Sequence, residues 1–311
     1  MPLVPLDPQV TAFLRSYSAA APPLDLATIT AAELRAAFVV PGSQLRPIPV
    51  DFVDVVLLTS PPLRARSYTP AGAGPFPLTL YCHGGGFVLG SPATTDAICR
   101  ELAHRARTVV VSIDYRLAPE APFPASLDDT LAALVYLRDH LDAFGARAPI
   151  AVAGDSSGGT LAAAAALEAR AHGVDVCHQL LLYPPLDAAC DTASFRTFAD
   201  GYLLSAEMMR WYWRAYLSDP RDADDPRASP LRATSLAGAP PATIAIAECD
   251  PLRDDGEAYA RRLAAAGVAV EVQLWPGQIH GLFLLQGTVA AADLALAAAG
   301  DALRRAFETR P

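Results

Sequence analysis

The residues best suited to do chemistry form the run Gly-Asp-Ser-Ser-Gly at positions 154–158. An apolar run, Ile-Ala-Val-Ala, precedes it as expected of a buried strand, and a helical pattern opens at Gly158. A Gly-x-Ser-x-Gly run between a strand and a helix holds its central serine in a strained turn that raises the hydroxyl above the sheet. The pattern predicts Ser156 as a nucleophile. It excludes Ser157, because a pattern centred there would need glycine in place of Asp155.

A second glycine-rich run, His-Gly-Gly-Gly-Phe at 83–87, follows an apolar run at 77–82. Glycines lack a Cβ, so their backbone N–H groups can turn toward a ligand oxygen. Acyl transfer needs such donors where the oxyanion develops. The run therefore predicts an oxyanion hole, with a glycine-rich turn that binds nothing as the alternative. A dinucleotide-binding loop starting at Gly84 is excluded, because it would need glycine in place of Leu89.

A serine hydroxyl at neutral pH needs a base to accept its proton, and that base needs an acid to orient it. Among the six histidines, His280 follows the last predicted strand and precedes the last predicted helix. It therefore lies at the sheet edge where Ser156 is also expected, and it is the predicted base. His83 is expected to fix the glycine-rich loop. The remaining four are expected to be surface or structural residues: His104, His140, His172 and His178.

The orienting acid is expected in the loop after the strand predicted at 243–247. Asp250 occupies this loop and is the predicted acid, with Glu248 left open as an alternative. Asp254 and Asp255 are expected about one turn into the next helix, where a carboxylate complements the helix dipole. The nucleophile, the base and the acid thus come from separate loops at one sheet edge. Their agreement predicts a catalytic triad.

The elements that must position these residues follow from hydrophobic periodicity. Several runs rich in Val, Ile and Leu lack polar alternation, as in strands buried on both faces of a parallel sheet. Helical patterns alternate with them, which predicts an α/β protein with a doubly wound sheet and an antiparallel first pair. The predicted strands are 52–58, 64–68, 77–82, 108–113, 150–153, 179–183, 243–247 and 269–274, and the helices that accompany them are 93–107, 127–143, 158–171, 252–266 and 289–307.

Two segments interrupt this alternation. Residues 1–46 contain helical patterns at 9–18 and 31–38 before any strand, and residues 186–239 separate two strands by more than a helix requires. The second segment includes a predicted helix at 205–217 that carries Met, Trp and Tyr around most of its circumference. Such a helix is either packed into a core or forms a lid whose aromatic side chains touch a substrate.

The composition excludes several classes of protein. Apolar residues make up 52% and charged residues 18%, so the chain is not disordered. The net charge of -9 argues against nucleic-acid binding. All 24 basic residues are arginines, which excludes Schiff-base and phosphate-loop lysine chemistry. No apolar run is long enough to span a membrane, and the first residues lack the basic start of a signal peptide.

The five cysteines are odd in number and scattered, which predicts neither a disulfide framework nor a zinc site and favours the cytoplasm. Cys82 and Cys249 stand next to the predicted site residues. They are expected to be small buried side chains rather than nucleophiles. No metal or organic cofactor is expected.

These motifs resemble those of the bacterial hormone-sensitive-lipase-like esterases, an α/β-hydrolase family. The similarity covers about residues 80 to 285 and rests on the two runs above, Asp-Tyr-Arg-Leu-Ala-Pro-Glu at 114–120, Tyr-Pro at 183–184, Asp-Pro-Leu-Arg-Asp at 250–254 and Ile-His-Gly at 279–281. It implies an α/β-hydrolase fold with an eight-stranded, mostly parallel sheet flanked by helices. It also implies a catalytic core of 47–185 and 240–311, and a helical cap made of 1–46 and 186–239.

The resemblance implies a role for each site residue. Ser156 is the nucleophile, His280 the base and Asp250 the orienting acid. The oxyanion hole is implied to consist of the backbone N–H groups of Gly85, Gly86 and Ser157, on a loop supported by His83 and Gly84. The family usually has alanine where this chain has Ser157, whose backbone N–H is still available.

The implied activity is hydrolysis of small carboxylic esters with short to medium acyl chains through an acyl-enzyme. An amide or peptide hydrolase with the same triad, and a small-molecule binder that has lost catalysis, stay open as alternatives. A homodimer paired through the last strand is an expected assembly, with neither nucleic acid nor stable membrane insertion. The expected lining of the substrate pocket is Phe87, Tyr183, Met208, Trp211 and Tyr212.

Overall fold

A computed structural model describes residues 5–20, 25–38 and 48–309. One sheet of eight strands runs through the molecule in the order β1-β2-β4-β3-β5-β6-β7-β8. In this order the five pairings from β4 to β8 are all parallel, which confirms the predicted mostly parallel sheet. The strands are β1 Val50–Leu57, β2 Leu63–Pro70, β3 Phe76–Cys82, β4 Val109–Ile113, β5 Ala146–Asp155, β6 Val176–Leu182, β7 Ala242–Cys249 and β8 Val270–Ile279.

The central strands β3, β4 and β6 are buried along their whole length, as their continuous apolar sequences predict. The pair β1 and β2 forms the predicted antiparallel edge, with Val50 opposite Pro70 and Leu57 opposite Leu63. Four of the first five residues of β1 are exposed, in keeping with its place at the edge of the sheet.

Helices cover both faces of the sheet. Helices α3 and α9 pack on one face, whose core includes Leu102 and Leu296, while α4, α5 and α8 pack on the other, with Leu134 and Leu161. Apolar side chains are therefore buried on both sides of the sheet. The helices are α1 Pro8–Ala20, α2 Ala31–Ala37, α3 Asp96–Ala106, α4 Ala125–Asp139, α5 Ser157–Glu168, α6 Ala193–Thr197, α7 Ala206–Tyr216, α8 Arg253–Ala265 and α9 Ala290–Glu308.

The segment 186–239 leaves the sheet after β6 and returns at β7. It contains α6, α7 and two short 3₁₀ helices, and no strand. Contrary to the expectation of an all-round apolar helix, α7 exposes Glu207, Arg210 and Arg214 along one side and buries the opposite side. The sequence already indicates this side, because Glu207, Arg210 and Arg214 are three and four residues apart and such residues lie on one side of a helix.

The predicted boundary between cap and core at residues 46 and 47 lies outside the described residues, and the division into core and cap stays a prediction. None of the described helices combines the length and the apolar character needed to cross a lipid bilayer.

Candidate active site

Ser156 occupies the sharp turn between β5 and α5. Its backbone has φ +51° and ψ −126°, a conformation that L-residues rarely adopt, and its N–H donates to Leu182 O at 2.8 Å. The flanking glycines permit this turn: a Cβ on Gly158 would collide with the Cys82 carbonyl, and one on Gly154 would collide with Gly158. The turn therefore presents the Ser156 hydroxyl at the carboxyl edge of the sheet.

His280 joins Ser156 to Asp250. Its Nε2 lies 2.9 Å from Ser156 Oγ, and its Nδ1 lies 2.8 Å from Asp250 Oδ2. A carboxylate oxygen only accepts, so Nδ1 carries the proton and Nε2 presents its lone pair to the serine hydroxyl. Asp250 is fully buried, and its other oxygen accepts from Leu252 N at 2.9 Å. The arrangement can take a proton from the serine and hold the resulting imidazolium.

The alternative acid Glu248 lies outside this arrangement, because its carboxylate accepts from Gly277 N at 2.8 Å. Asp254 accepts from Ser194 N at 2.8 Å and pairs with the adjacent Arg253. This carboxylate therefore anchors α6, a contact that the helix-dipole expectation missed.

Asp255 lies in the first turn of α8, the position expected of a helix-dipole partner, and its side chain is buried. Its Oδ2 accepts from Leu186 N at 2.9 Å and from Asp187 N at 3.2 Å, at the start of the segment 186–239. Burial raises the pKa of this carboxyl to about 7. The side chain thus fixes the point where this segment leaves the sheet.

The glycine-rich loop after β3 is folded tightly beside Ser156. Gly85 and Gly86 have φ of +127° and +61°, and Leu89 N donates to Gly85 O at 2.8 Å. A Cβ on Gly85 would collide with Leu89 O, and one on Gly86 would collide with the Tyr212 ring. Only glycine fits these two positions, and both line the same cavity as Ser156.

His83 supports the loop from beneath. Its ring is fully buried and stacks on Tyr115 with 4.2 Å between ring centroids, and its Nδ1 lies 2.8 Å from Gly84 O. The Tyr115 hydroxyl donates to His83 O at 2.8 Å. Burial lowers the pKa of His83 to about 4, so the imidazole is neutral at pH 7. These contacts agree with the prediction that His83 holds the glycine-rich loop in position.

Asp155 connects the serine turn to the glycine-rich loop, a contact that no sequence pattern predicts. Its Oδ1 accepts from Gly84 N at 2.9 Å and from the Tyr81 hydroxyl at 2.7 Å. Burial raises the pKa of Asp155 to about 6. Its place beside Ser156 is the only signal of this contact in the sequence, because its partners come from a separate strand and a separate loop.

A cavity of about 490 Å³ opens above Ser156 and His280. Three of the residues predicted for a substrate pocket line it: Tyr183, Met208 and Tyr212. Nine of the other described lining side chains are apolar. They come from α2 and the residues on either side of it, from the glycine-rich loop, from α7 and the segment before it, and from the turn after His280: Leu26, Leu34, Ala37, Phe38, Leu89, Leu203, Leu204, Met209 and Leu284.

Phe87 and Trp211 do not line this cavity. Phe87 is fully buried with its ring stacked 3.9 Å from that of Tyr216, so it joins the loop to α7. Trp211 packs edge-on against Tyr212, with 5.5 Å between ring centroids. The sequence places both close to the site, but the direction of each side chain depends on packing against other elements.

The two cysteines near the site are buried side chains. Cys82 is 1% exposed, and burial raises its thiol pKa to about 12. Burial also raises the pKa of Cys249, to about 11. Neither thiol is readily ionised at neutral pH, so neither is an activated nucleophile.

Within residues 5–20, 25–38 and 48–309, no three His, Cys, Asp or Glu side chains are grouped so that they could hold a metal ion. That the reaction needs no cofactor stays a prediction.

Comparisons with known proteins agree with this geometry. Residues 79–284 match the family described as alpha/beta hydrolase fold. A carboxylic ester hydrolase of Mycobacterium tuberculosis is 44% identical over 266 residues, which are 81% of this chain and 69% of that protein. An ethyl acetate hydrolase of Pseudomonas putida is 41% identical over 229 residues, which are 73% of this chain and 72% of that protein.

Among solved structures, an alpha/beta hydrolase enzyme from the metagenome of Lake Arreo, Spain, matches with a TM-score of 0.91 at 38% identity. The match covers 97% of this chain and 99% of that one. The chain therefore belongs to the α/β-hydrolase family, in the group of hormone-sensitive-lipase-like esterases that its motifs resemble.

Proposed function

We propose that this protein is a carboxylesterase that hydrolyses small esters through an acyl-enzyme on Ser156. The observation that carries the proposal is the continuous chain of hydrogen-bond distances from Ser156 Oγ through His280 to Asp250. The names of the related proteins, carboxylic ester hydrolase and ethyl acetate hydrolase, support the ester class.

The proposed reaction begins when Ser156 Oγ attacks the ester carbonyl while its proton passes to His280 Nε2. The carbonyl oxygen becomes an oxyanion that accepts hydrogen bonds from the N–H groups of Gly85, Gly86 and Ser157. As the tetrahedral intermediate collapses, the bond to the alcohol oxygen breaks and His280 returns the proton to that oxygen. Water then attacks the acyl-serine by the same steps, releasing the carboxylic acid and restoring Ser156.

The cavity supports a small substrate. A volume of about 490 Å³ lies in the range of small-molecule sites, and its lining is largely apolar. We therefore propose monomeric esters with short to medium acyl chains. A chain-length series of p-nitrophenyl esters measures this, and an optimum at long emulsified triglycerides would contradict it.

The test of the reaction compares wild-type protein with Ser156→Ala on p-nitrophenyl butyrate. We expect kcat/KM to fall by about 10⁴-fold or more, because alanine offers no nucleophile. A matched anilide, run in parallel, is expected to react far more slowly than the ester. Retained hydrolysis in Ser156→Ala would contradict the proposal, and a preference for the anilide would replace the esterase by an amidase.

Location and assembly stay predictions. The cytoplasm is proposed from the cysteine content of the sequence, and a homodimer from the resemblance. The outer edge of β8 pairs with no other strand of the described chain and exposes Val272 and Leu274. Sedimentation equilibrium measures whether two copies associate.

A further inference from the structure

We propose that Asp200 and Glu207 make the active-site cavity selective for the charge of the ester, favouring cationic and neutral esters over those that carry a carboxylate. The inference rests on the proposed function, because it concerns the substrate of the same cavity. It adds two specificity-determining residues that lie outside the triad and the oxyanion loop.

Among the described residues that line the cavity, acidic side chains outnumber basic ones. Three carboxylates line it, Asp155, Asp200 and Glu207, together with the imidazole of His280. No arginine is among the lining residues in the part of the chain that the structure describes, and the whole sequence lacks lysine. A substrate carboxylate that enters therefore meets no described cationic side chain to replace its hydration.

Asp200 precedes α7 in the chain and Glu207 lies in its first turn; both line the cavity and both are exposed to solvent. Neither side chain forms an ion pair or a hydrogen bond with a residue of the described ranges. Four other carboxylates of the segment 186–239 are paired with arginine, whereas Asp191 and Asp222 form no ion pair with a described residue and do not line the cavity. Asp200 and Glu207 therefore line the cavity without a described counter-ion, and their field acts on a charged group that enters.

The nearest arginine along α7 does not neutralise this end of the cavity. Arg210 donates to Cys190 O, and its guanidinium lies 5.1 Å from the Phe195 ring centroid. These contacts place Arg210 against α6, outside the cavity lining. Arg210 is one helical turn from Glu207, but its guanidinium does not form an ion pair with the Glu207 carboxylate.

The aromatic part of the wall adds to the same preference. Tyr212 is 7% exposed and lines the cavity, and its hydroxyl makes no hydrogen bond to any described residue. Its ring lies directly over Gly86, and Tyr17 lines the cavity as well. The faces of phenol rings attract cations. A cationic group next to the ester therefore has two phenol rings and two carboxylates in the cavity wall around it.

The size of the effect follows from Coulomb's law at the edge of a low-dielectric cavity. Two carboxylates several ångströms from a bound charge change its binding by about tenfold at low salt. Screening by salt reduces the effect because both carboxylates are exposed. We therefore expect charge selectivity that decreases as ionic strength rises.

The experiment uses two matched pairs of esters. Butyrylcholine and 3,3-dimethylbutyl butyrate differ by a quaternary nitrogen in place of a carbon, and monophenyl succinate and phenyl butyrate differ by a carboxylate in place of a methyl group. The kcat/KM ratio within each pair is measured at low and high salt for wild type, for the double variant Asp200→Asn/Glu207→Gln and for the control Asp51→Asn. Asp51 is exposed on β1 and lies outside the cavity lining.

In wild type we expect butyrylcholine to be favoured over its neutral partner and the succinate ester to be disfavoured. In the double variant both ratios are expected to move toward one by about tenfold, and in Asp51→Asn to stay as in wild type. Ratios cancel any general loss of activity. Unchanged ratios in the double variant, or an equal shift in Asp51→Asn, would overturn this inference alone. Failure of wild type to hydrolyse either neutral ester would instead overturn the proposed function.

Discussion

Asp155 stands next to Ser156, the proposed nucleophile, and holds the glycine-rich loop through one oxygen atom. Both of its hydrogen bonds, from Gly84 N and from the Tyr81 hydroxyl, reach Oδ1. Removing that oxygen frees the loop that carries Gly85 and Gly86. Replacing only the other oxygen leaves both bonds in place.

This geometry predicts a difference between two substitutions at one position. Asp155→Ala is expected to lower kcat on p-nitrophenyl butyrate by about 10²-fold, because misplacing oxyanion donors costs two to three orders of magnitude. Asp155→Asn keeps an acceptor at Oδ1 and is expected to retain most of the activity. Steady-state kinetics with circular dichroism as the folding control measures both. Equal losses in the two variants would show that the charge, not the acceptor, matters.

Ser157 carries a side chain that the proposed reaction does not use. It is fully buried, and its hydroxyl makes no hydrogen bond of normal geometry with a described residue. Ser157→Ala keeps the backbone N–H and removes a buried hydroxyl. We expect kcat/KM to stay within about threefold and stability to be equal or higher, since burying an unsatisfied hydroxyl is costly. A large loss of kcat would assign the hydroxyl a part in the reaction.

The sequence predicts the geometry of the triad because its residue types leave few alternatives. A serine turn requires a base and an acid at the same edge, and His280 and Asp250 are the residues that end up within 3 Å of their partners. The contacts of Asp155, and the direction in which Phe87 points, depend on how separate elements pack. No local pattern encodes them.

At the scale of elements, the approach of α5 to β3 determines where the serine turn sits. The Cα of Gly158 lies so close to the Cys82 carbonyl that no side chain fits between them. Gly158→Ala is therefore expected to cost at least about 3 kcal/mol of unfolding free energy, because rigid backbone cannot yield to the added carbon.

Gly267→Ala serves as the matched control. This glycine has φ +77° and open space around it, so alanine there carries a conformational cost of about 1 kcal/mol without any overlap. Urea unfolding of both variants measures the difference. A smaller loss for Gly158→Ala than for Gly267→Ala would contradict the close packing of α5 on β3.

Element types were predicted more successfully than element ends. All eight strands are confirmed, yet β5 begins at Ala146 rather than Ile150, and β8 continues to Ile279 rather than ending at Leu274. The ends differ because pairing with neighbouring strands extends a strand beyond its apolar run. Phe76 pairs with Ala146, and Cys249 pairs with Ile279, in positions set by the assembled sheet.

At the scale of the whole molecule, Asp255 fixes the segment 186–239 to the sheet and makes stability depend on pH. Its pKa rises from an ordinary value of 3.8 to about 7 in the folded protein. Between these values the folded state keeps a proton that the unfolded state has lost. The free energy of unfolding therefore falls as pH rises through this window.

Asp255→Asn removes this titration and keeps an oxygen that can accept from Leu186 N. We expect the wild type to lose on the order of 2–4 kcal/mol more than the variant between pH 4 and pH 8, at about 1.4 kcal/mol per pKa unit. Urea unfolding at both pH values measures this difference, and all other titrating groups cancel because both proteins share them. Parallel pH dependences would contradict the account of Asp255.

The central claim is that Ser156 is the nucleophile, and covalent labelling tests it most directly. A fluorophosphonate loses fluoride when a serine oxygen bonds to its phosphorus, and fragmentation mass spectrometry locates the modified residue. We predict one label per chain, on Ser156, with ester hydrolysis lost in proportion to labelling and with slower labelling in His280→Ala. A label on Ser157 or elsewhere, or full activity after Ser156 is modified, would contradict the account.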